Sequence, residues 1–200
     1  LMKANYYSKV TLIDDCIGGI VRKLEERNLL NNTWIVFSSD HGEMLGDHGL
    51  LAKKVFYDAA VNVPCLFRAP HGQGQGITPA LTCHLDIVAT LIDISGAAPL
   101  EDTDWQSVMP ILTGESNRSP RTAVLSELGL PPSAFAMLRT ADHKLSVDAK
   151  TRQPIEFYHL SEDPNELHNL INEPGYRAAQ EQLVSEVLEP MLSGLDTSDW

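Results

Sequence analysis

Thr33-Trp34-Ile35-Val36-Phe37-Ser38-Ser39-Asp40-His41-Gly42 is the stretch on which the reading of this chain turns. Its first five residues are β-branched, aromatic or aliphatic, too few for a buried helix, and they predict a buried strand. The pair Asn31-Asn32 just before them is a turn signal. Upstream, Val10, Ile13, Ile17, Ile20, Val21 and Leu24 recur at helical spacing, with Lys9, Arg22, Lys23, Glu25 and Glu26 largely off that stripe, which predicts one amphipathic helix over 4–27. Gly18 and Gly19 weaken it locally, and suit close packing against a neighbouring element better than a break. A long helix, a short turn and a continuous apolar strand form the pattern of a parallel sheet covered by helices. Ligands of such sheets bind beyond the carboxyl ends of the strands, which puts Asp40 and His41 where a site belongs.

Downstream, 63–68 (VPCLFR) predicts a second strand, closed by Ala69-Pro70 and the glycine-rich run HGQGQG at 71–76. Thr82 is positioned to cap a helix with Leu85, Val88, Ala89 and Ile92 on one face, ending at Gly96. From about residue 118 the texture changes to short strand-like runs at 123–127, 135–139, 143–147 and 155–160, separated by turn residues, which predict a small antiparallel sheet. A last helix over 176–191 should bury Ala179, Leu183, Val187 and Met191 across it. The expected division is an α/β part over 1–117 and a sheet-plus-helix subdomain over 118–200.

With 43% hydrophobic and 21% charged residues over 200 positions, the composition is that of a folded chain. Fifteen Lys and Arg against 27 Asp and Glu give a net charge of -12, which repels phosphate backbones, so a nucleic-acid partner is not expected. No apolar run approaches the ~20 residues of a membrane span, so no membrane partner is expected either. Cys16, Cys65 and Cys83 are odd in number and widely spaced, with no CxxC pair, and read as small buried hydrophobes. The N-terminus lacks an initiating Met and runs straight into helical periodicity, so the chain reads as a piece of something longer, with its compartment undetermined.

Asp40 and His41 offer an oxygen and a nitrogen donor at one strand end, a pair suited to a divalent cation. The glycine after them lets the backbone bend away or take positive φ. Asp and His beside glycine are also common turn residues, so the pair gains its meaning from context. Lys53 follows Asp40 by 13 residues, beyond a second Gly-Asp-His-Gly. The whole stretch SSDHGEMLGDHGLLAKKVFYDAAVNVP, residues 38–64, resembles the sulfatase family of the alkaline-phosphatase superfamily. So do 6–42 and HLDIVATLIDISGAAP at 84–99, and MLRTADHKL and FYHLSEDPNELHNL resemble that family's C-terminal sheet. Departures are His159 and Asn165 in the last run, Ala89 where proline is common, and Ala52 where glycine is common before the lysine.

The resemblance implies an α/β fold: part of an alkaline-phosphatase-like sheet with flanking helices, then a small C-terminal antiparallel sheet packed by a helix. It also implies hydrolysis of small-molecule sulfate esters by a formylglycine nucleophile beside one divalent cation, calcium in most members, with magnesium or manganese as alternatives. Asp40 and His41 then become metal ligands, and Lys53 the cation contacting a sulfate oxygen or the leaving oxygen. The physics suits these roles, because charge grows on the ester oxygen as the S–O bond breaks and a metal with an ammonium group stabilises it. The family's nucleophile motif, Cys-x-Pro-x-Arg or Ser-x-Pro-x-Arg, does not occur here, nor do the paired acidic ligands of its first strand. The chain therefore reads as the C-terminal part of a sulfatase, inactive by itself. Alternatives are a phosphonate or phosphate ester hydrolase of the same superfamily, or a non-catalytic binding module. His48 reads as a turn residue and Lys54 as solvated or paired with Glu43 or Asp47. Asp14 and Asp15 read as exposed, His84 and Asp86 as first-turn polar residues, His143, His159 and His168 as structural, and Trp34 and Tyr57 as core aromatics.

Overall fold

The apolar run at 33–37 becomes strand β1, and the helix before it forms nearly as its spacing predicts. In chain order the elements are α1 (Met2–Glu26), β1 (Ile35–Ser38), a one-turn α2 (Asp58–Val61), β2 (Cys65–Arg68), α3 (His84–Ser95), a one-turn α4 (Met109–Leu112), β3 (Ala123–Leu128), β4 (Phe135–Thr140), β5 (His143–Asp148), β6 (Pro154–His159), α5 (Arg177–Gln182), a π-helical turn (Leu183–Leu188) and α6 (Glu189–Ser193). This computed structural model describes residues 1–72, 76–101, 103–129 and 134–193, so the centre of the HGQGQG run lies outside the described residues. Two compact units result. One comprises Leu1–Lys53, Ala59–Thr78 and Val108–Asn117; the other comprises Lys54–Asp58, Pro79–Ser107 and Arg118–Trp200.

In the first unit β1 and β2 pair antiparallel, Ile35 opposite Arg68 and Ser38 opposite Cys65. This corrects the expectation of a parallel sheet. Apolar composition reports burial and carries no direction. The connection between the two strands, residues 39–64, holds only a 3-10 turn and a one-turn helix, without the longer helix usual in a parallel crossover. Arg68 Nη1 donates to the Leu30 carbonyl at 2.9 Å, tying the end of β2 to the turn before β1. The strand is half-buried, with Phe37 exposed, and α1 buries no residue. Of its apolar stripe, Val10, Ile13 and Ile20 are exposed, while Ile17, Val21 and Leu24 are half-buried. Gly18 and Gly19 stay helical, and a Cβ at either would meet only Arg22 side-chain atoms, so no close packing of another element requires them.

The second unit holds the four-stranded antiparallel sheet in the order β3-β4-β5-β6, as the spacing of the short runs predicts. Its inward residues Ala123, Ala136, Leu138, Leu145, Val147 and Phe157 pack with Leu188 and Leu192 from the last helical segment. Ala179, Leu183, Val187 and Met191 pack against that core but are half-buried. The π-helical turn puts more residues into one turn than an α-helix does. This moves the deepest positions one residue along, from Val187 and Met191 to Leu188 and Leu192.

Two buried ion clusters complete this unit, and neither was legible in the sequence. Helix α3 buries Asp86 and Thr90, while Leu85 and Val88 are exposed, because the Asp86 carboxylate receives Arg121 Nε and Nη2 at 2.6–3.0 Å. Asp86 also accepts the Cys83 and Gln106 amides at 3.0 Å, and Cys83, not Thr82, is the capping position. Burial pushes the Asp86 carboxyl upward, but the Arg121 and amide hydrogen bonds outweigh it and leave it below its ordinary value. Gly96 ends the helix in the left-handed region, φ 71°. In the second cluster Lys144, 1% exposed, donates to the Phe56 carbonyl at 2.9 Å and Asp58 Oδ1 at 2.5 Å, and pairs with Glu166. Glu166 in turn accepts the Asp58 amide at 2.6 Å.

Other expectations are corrected in detail. Cys16 and Cys65 are exposed and Cys83 half-buried, since they lie on the unburied α1, on an open position of β2 and at a helix cap. Trp34 and Tyr57 are half-buried. The Tyr57 hydroxyl needs polar neighbours and stands 3.5 Å from both Glu156 and the Tyr158 hydroxyl. His143 and His159 face each other across β5 and β6 with ring centroids 4.7 Å apart, and His143 stacks on Phe157.

Candidate functional site

Asp40 and His41 follow directly from β1, where the extended chain turns. The Asp40 side chain is largely exposed, and its Oδ1 accepts the His41 amide at 3.0 Å and approaches Ser39 Oγ at 3.4 Å. The His41 amide holds this carboxyl below its ordinary value against desolvation, which raises it, and the charges of His41 and Lys53 lower it by smaller amounts.

The His41 ring is oriented by its own backbone. Its Nδ1 lies 2.8 Å from the Gly42 carbonyl, and a carbonyl only accepts, so Nδ1 carries the hydrogen. Nε2 then faces Asp40 Oδ2 at 3.3 Å. In the neutral ring these are two electron-pair donors aimed at each other, an arrangement favourable only with a positive charge between or on them. One carboxylate oxygen and one imidazole nitrogen, the latter held by a second hydrogen bond, form a donor pair that fits a divalent cation. Among the described residues no group of three or more His, Cys, Asp or Glu side chains is placed to hold a metal ion.

Gly42 has a different reason from the one the sequence suggests. It does not take positive φ; a Cβ there would lie 2.0 Å from the Ala59 carbonyl oxygen, while the Gly42 amide donates to Ala60 O at 2.8 Å. Close approach of two backbones excludes any side chain.

The 13-residue spacing is folded into a closed loop. Met44, fully buried, anchors it and donates its amide to the Ala52 carbonyl at 2.9 Å. Glu43 Oε1 accepts the Ala52 amide at 2.5 Å, and Gly46 N donates to Leu50 O at 2.8 Å. Inside it Leu45, His48 and Ala52 take left-handed φ of 50°, 52° and 68°, beside Gly46 and Gly49. Three non-glycine residues in that region within eight positions is concentrated backbone strain, the kind that functional loops hold. His48 sits at the centre of the Asp47–Gly49 turn, consistent with a turn role. The expected partners of Lys54 are engaged elsewhere, Glu43 with the Ala52 amide and Asp47 with Lys3 at 3.7 Å, and Lys54 is exposed. In the sequence Glu43 figures only as a candidate partner of Lys54, and a glutamate after Asp-His-Gly gives no sign that it reaches nine residues onward.

Residues 2–97 match the family model for Sulfatase. The chain is 31% identical over 173 residues to choline-sulfatase from Rhizobium meliloti (strain 1021), covering 84% of this chain and 33% of that protein. Among solved structures it is similar to BT4656 in complex with its substrate D-glucosamine-2-N,6-O-disulfate, with TM-score 0.84, 27% identity, and 95% of this chain and 40% of that one covered. It is also similar to the phosphonate monoester hydrolase of Agrobacterium radiobacter, with TM-score 0.83, 28% identity, and 95% and 41% covered. The chain thus spans about a third of the length of the curated relatives it matches.

Proposed function

This chain belongs to the sulfatase family of the alkaline-phosphatase superfamily, and from that premise we propose that it carries the metal-and-lysine part of a site that hydrolyses sulfate esters of small molecules. The observation that supports the reading is the approach of His41 Nε2 to Asp40 Oδ2 at 3.3 Å, at the head of a closed loop that Lys53 directly follows. In this reading Asp40 and His41 hold one divalent cation, calcium first and magnesium or manganese as alternatives. Such a cation, when bound, withdraws charge from an ester oxygen. Asp40 stays ionised because the His41 amide favours its charged form. His41 presents Nε2 because its Nδ1–H is committed to Gly42. The Lys53 ammonium, a compact point charge on a flexible stem, meets a sulfate oxygen or the leaving oxygen.

The nucleophile, a formylglycine on this reading, comes from sequence outside these 200 residues, and the division into 1–117 and 118–200 remains part of the proposal. The chain alone then turns over no aryl sulfate, since nothing in it splits hydrolysis into two easier steps. The test is aryl-sulfate turnover by the intact protein, abolished by Asp40→Ala; turnover unaffected by that substitution, or carried by this chain alone, contradicts the reading.

A second reading is favoured by the likeness to the phosphonate monoester hydrolase at a TM-score equal to within 0.01 of that to BT4656. The same donors would serve a phosphonate monoester. The ratio of kcat/KM for an aryl sulfate and an aryl phosphonate decides between the two.

A further inference from the structure

We propose that Glu43 is a positioning residue for Lys53, a role that rests on the reading of Lys53 given above. Lys53 follows Ala52, and Ala52 is gripped on both sides of its Cα. Its amide donates to Glu43 Oε1 at 2.5 Å, and its carbonyl accepts the Met44 amide at 2.9 Å. Between these bonds Ala52 is held at φ 68°, a conformation that residues with a Cβ keep only where the surroundings over-determine it. The Met44 bond is main chain to main chain and survives any change of side chain at 43. The grip on the Ala52 amide is made by the Glu43 carboxylate.

Glu43 also follows His41 and Gly42 directly in the chain. One side chain therefore couples the backbone that presents the Asp40 and His41 donors to the backbone that presents the ammonium. Release of the Ala52 amide frees φ at Ala52, and rotation there changes the direction in which the lysine side chain leaves the loop. In this role Glu43 touches no substrate and moves no proton. An acceptor oxygen is all it supplies, so glutamine serves as well.

The test is steady-state kinetics on p-nitrophenyl sulfate with the intact protein, comparing Glu43→Ala, Glu43→Gln, Lys53→Ala and the double variant Glu43→Ala/Lys53→Ala. Glu43→Ala is expected to lower kcat about 10-fold with little change in KM, the mark of a misplaced group that acts after substrate is bound. Glu43→Gln restores most of the rate. In the Lys53→Ala background, removing the carboxylate costs less than roughly twofold, because the two residues act as one unit. Equal losses for Glu43→Ala and Glu43→Gln, or the same 10-fold loss with and without Lys53, overturn the proposal. A second readout separates it from the reading it rests on: hydrogen exchange at the Ala52 amide is slow in wild type and Glu43→Gln and faster by at least about 10-fold in Glu43→Ala. If that exchange responds while Lys53→Ala leaves turnover unchanged, the clasp stands and the catalytic reading of Lys53 falls, and the positioning role falls with it. If exchange does not respond, the clasp itself is refuted.

Discussion

Lys53 and Lys144 carry the same ammonium group into opposite surroundings. Lys144 stands in β5 among Asp58, Glu166 and the Phe56 carbonyl, cut off from water, with two hydrogen bonds to Phe56 and Asp58 and an ion pair to Glu166. Lys53 lies exposed at the end of a loop that holds three non-glycine residues in left-handed backbone. A cation surrounded by fixed anions is committed to the fold. On the proposed reading, a cation on a strained and hydrogen-bonded loop meets an anion that is not part of the protein. The same contrast divides the two units. Among the described residues the sheet unit closes a core of nine buried apolar residues, whereas the unit bearing the candidate site leaves α1 without a buried residue and orders that stretch by hydrogen bonds.

The sharpest way to break this comparison is to exchange each lysine for methionine. Lys144→Met leaves Asp58 and Glu166 charged without their cation and should cost about 3–5 kcal/mol of stability by denaturant unfolding. Lys53→Met should stay within about 0.5 kcal/mol of wild type, as exposed substitutions do. Comparable losses at both positions would dissolve the distinction. Next in size is Gly42→Ala, which drives a Cβ into the Ala59 carbonyl and should cost about 3 kcal/mol, at the upper end for overpacking. A loss under about 0.5 kcal/mol there would mean that the two backbones separate easily and that the donor pair is not rigidly placed. The strain itself is tested by Ala52→Gly, expected to stabilise by up to about 1 kcal/mol because glycine takes φ 68° freely. No gain, or a loss, would show that the loop is not strained at Ala52.

The smallest effect is a pH dependence carried by His143 and Asp86 in the sheet unit. Burial, with the charge of His159 adding to it, holds His143 below its ordinary value of 6.5, against weaker opposition from Asp142 and Glu162. The unfolded chain then binds a proton at higher pH than the folded one, so stability is complete above pH 6.5 and declines as pH falls through the lower folded value. Asp86 acts in the same direction further down. Its depressed carboxyl stabilises the fold above 3.8, and that contribution is lost as pH falls below it. His143→Gln should flatten the first decline and leave the second, as read by thermal unfolding across pH.

The sequence revealed what depends on local pattern. The helix over 2–26, the four short strands and their antiparallel order, the Gly96 stop and the adjacency of Asp40 and His41 all follow from periodicity and turn chemistry. It was silent where a distant partner decides. The direction of β1 depends on β2, the buried face of α3 depends on Arg121 lying 35 residues beyond Asp86, and Lys144 meets Asp58 and Glu166 from separated segments. The sequence offers Gly42 as a place for the backbone to bend away or take positive φ, but its need for the absence of a side chain arises from Ala59, which no pattern around Asp40 announces. In the site, the candidate ligands and Lys53 came from residue type and resemblance. The clasp by Glu43 needed coordinates.

The central claim is that Lys53 faces a developing negative charge beside Asp40 and His41, and its most direct test is the contrast between neighbouring lysines in the intact protein. Lys53→Ala should lower kcat for aryl-sulfate hydrolysis by about 10²-fold and change KM much less, as for other preorganised electrostatic donors. Lys54→Ala removes the same charge from the adjacent exposed position and should leave kcat within about twofold of wild type. Equal and small effects at both positions would contradict the account and return Lys53 to the solvated surface.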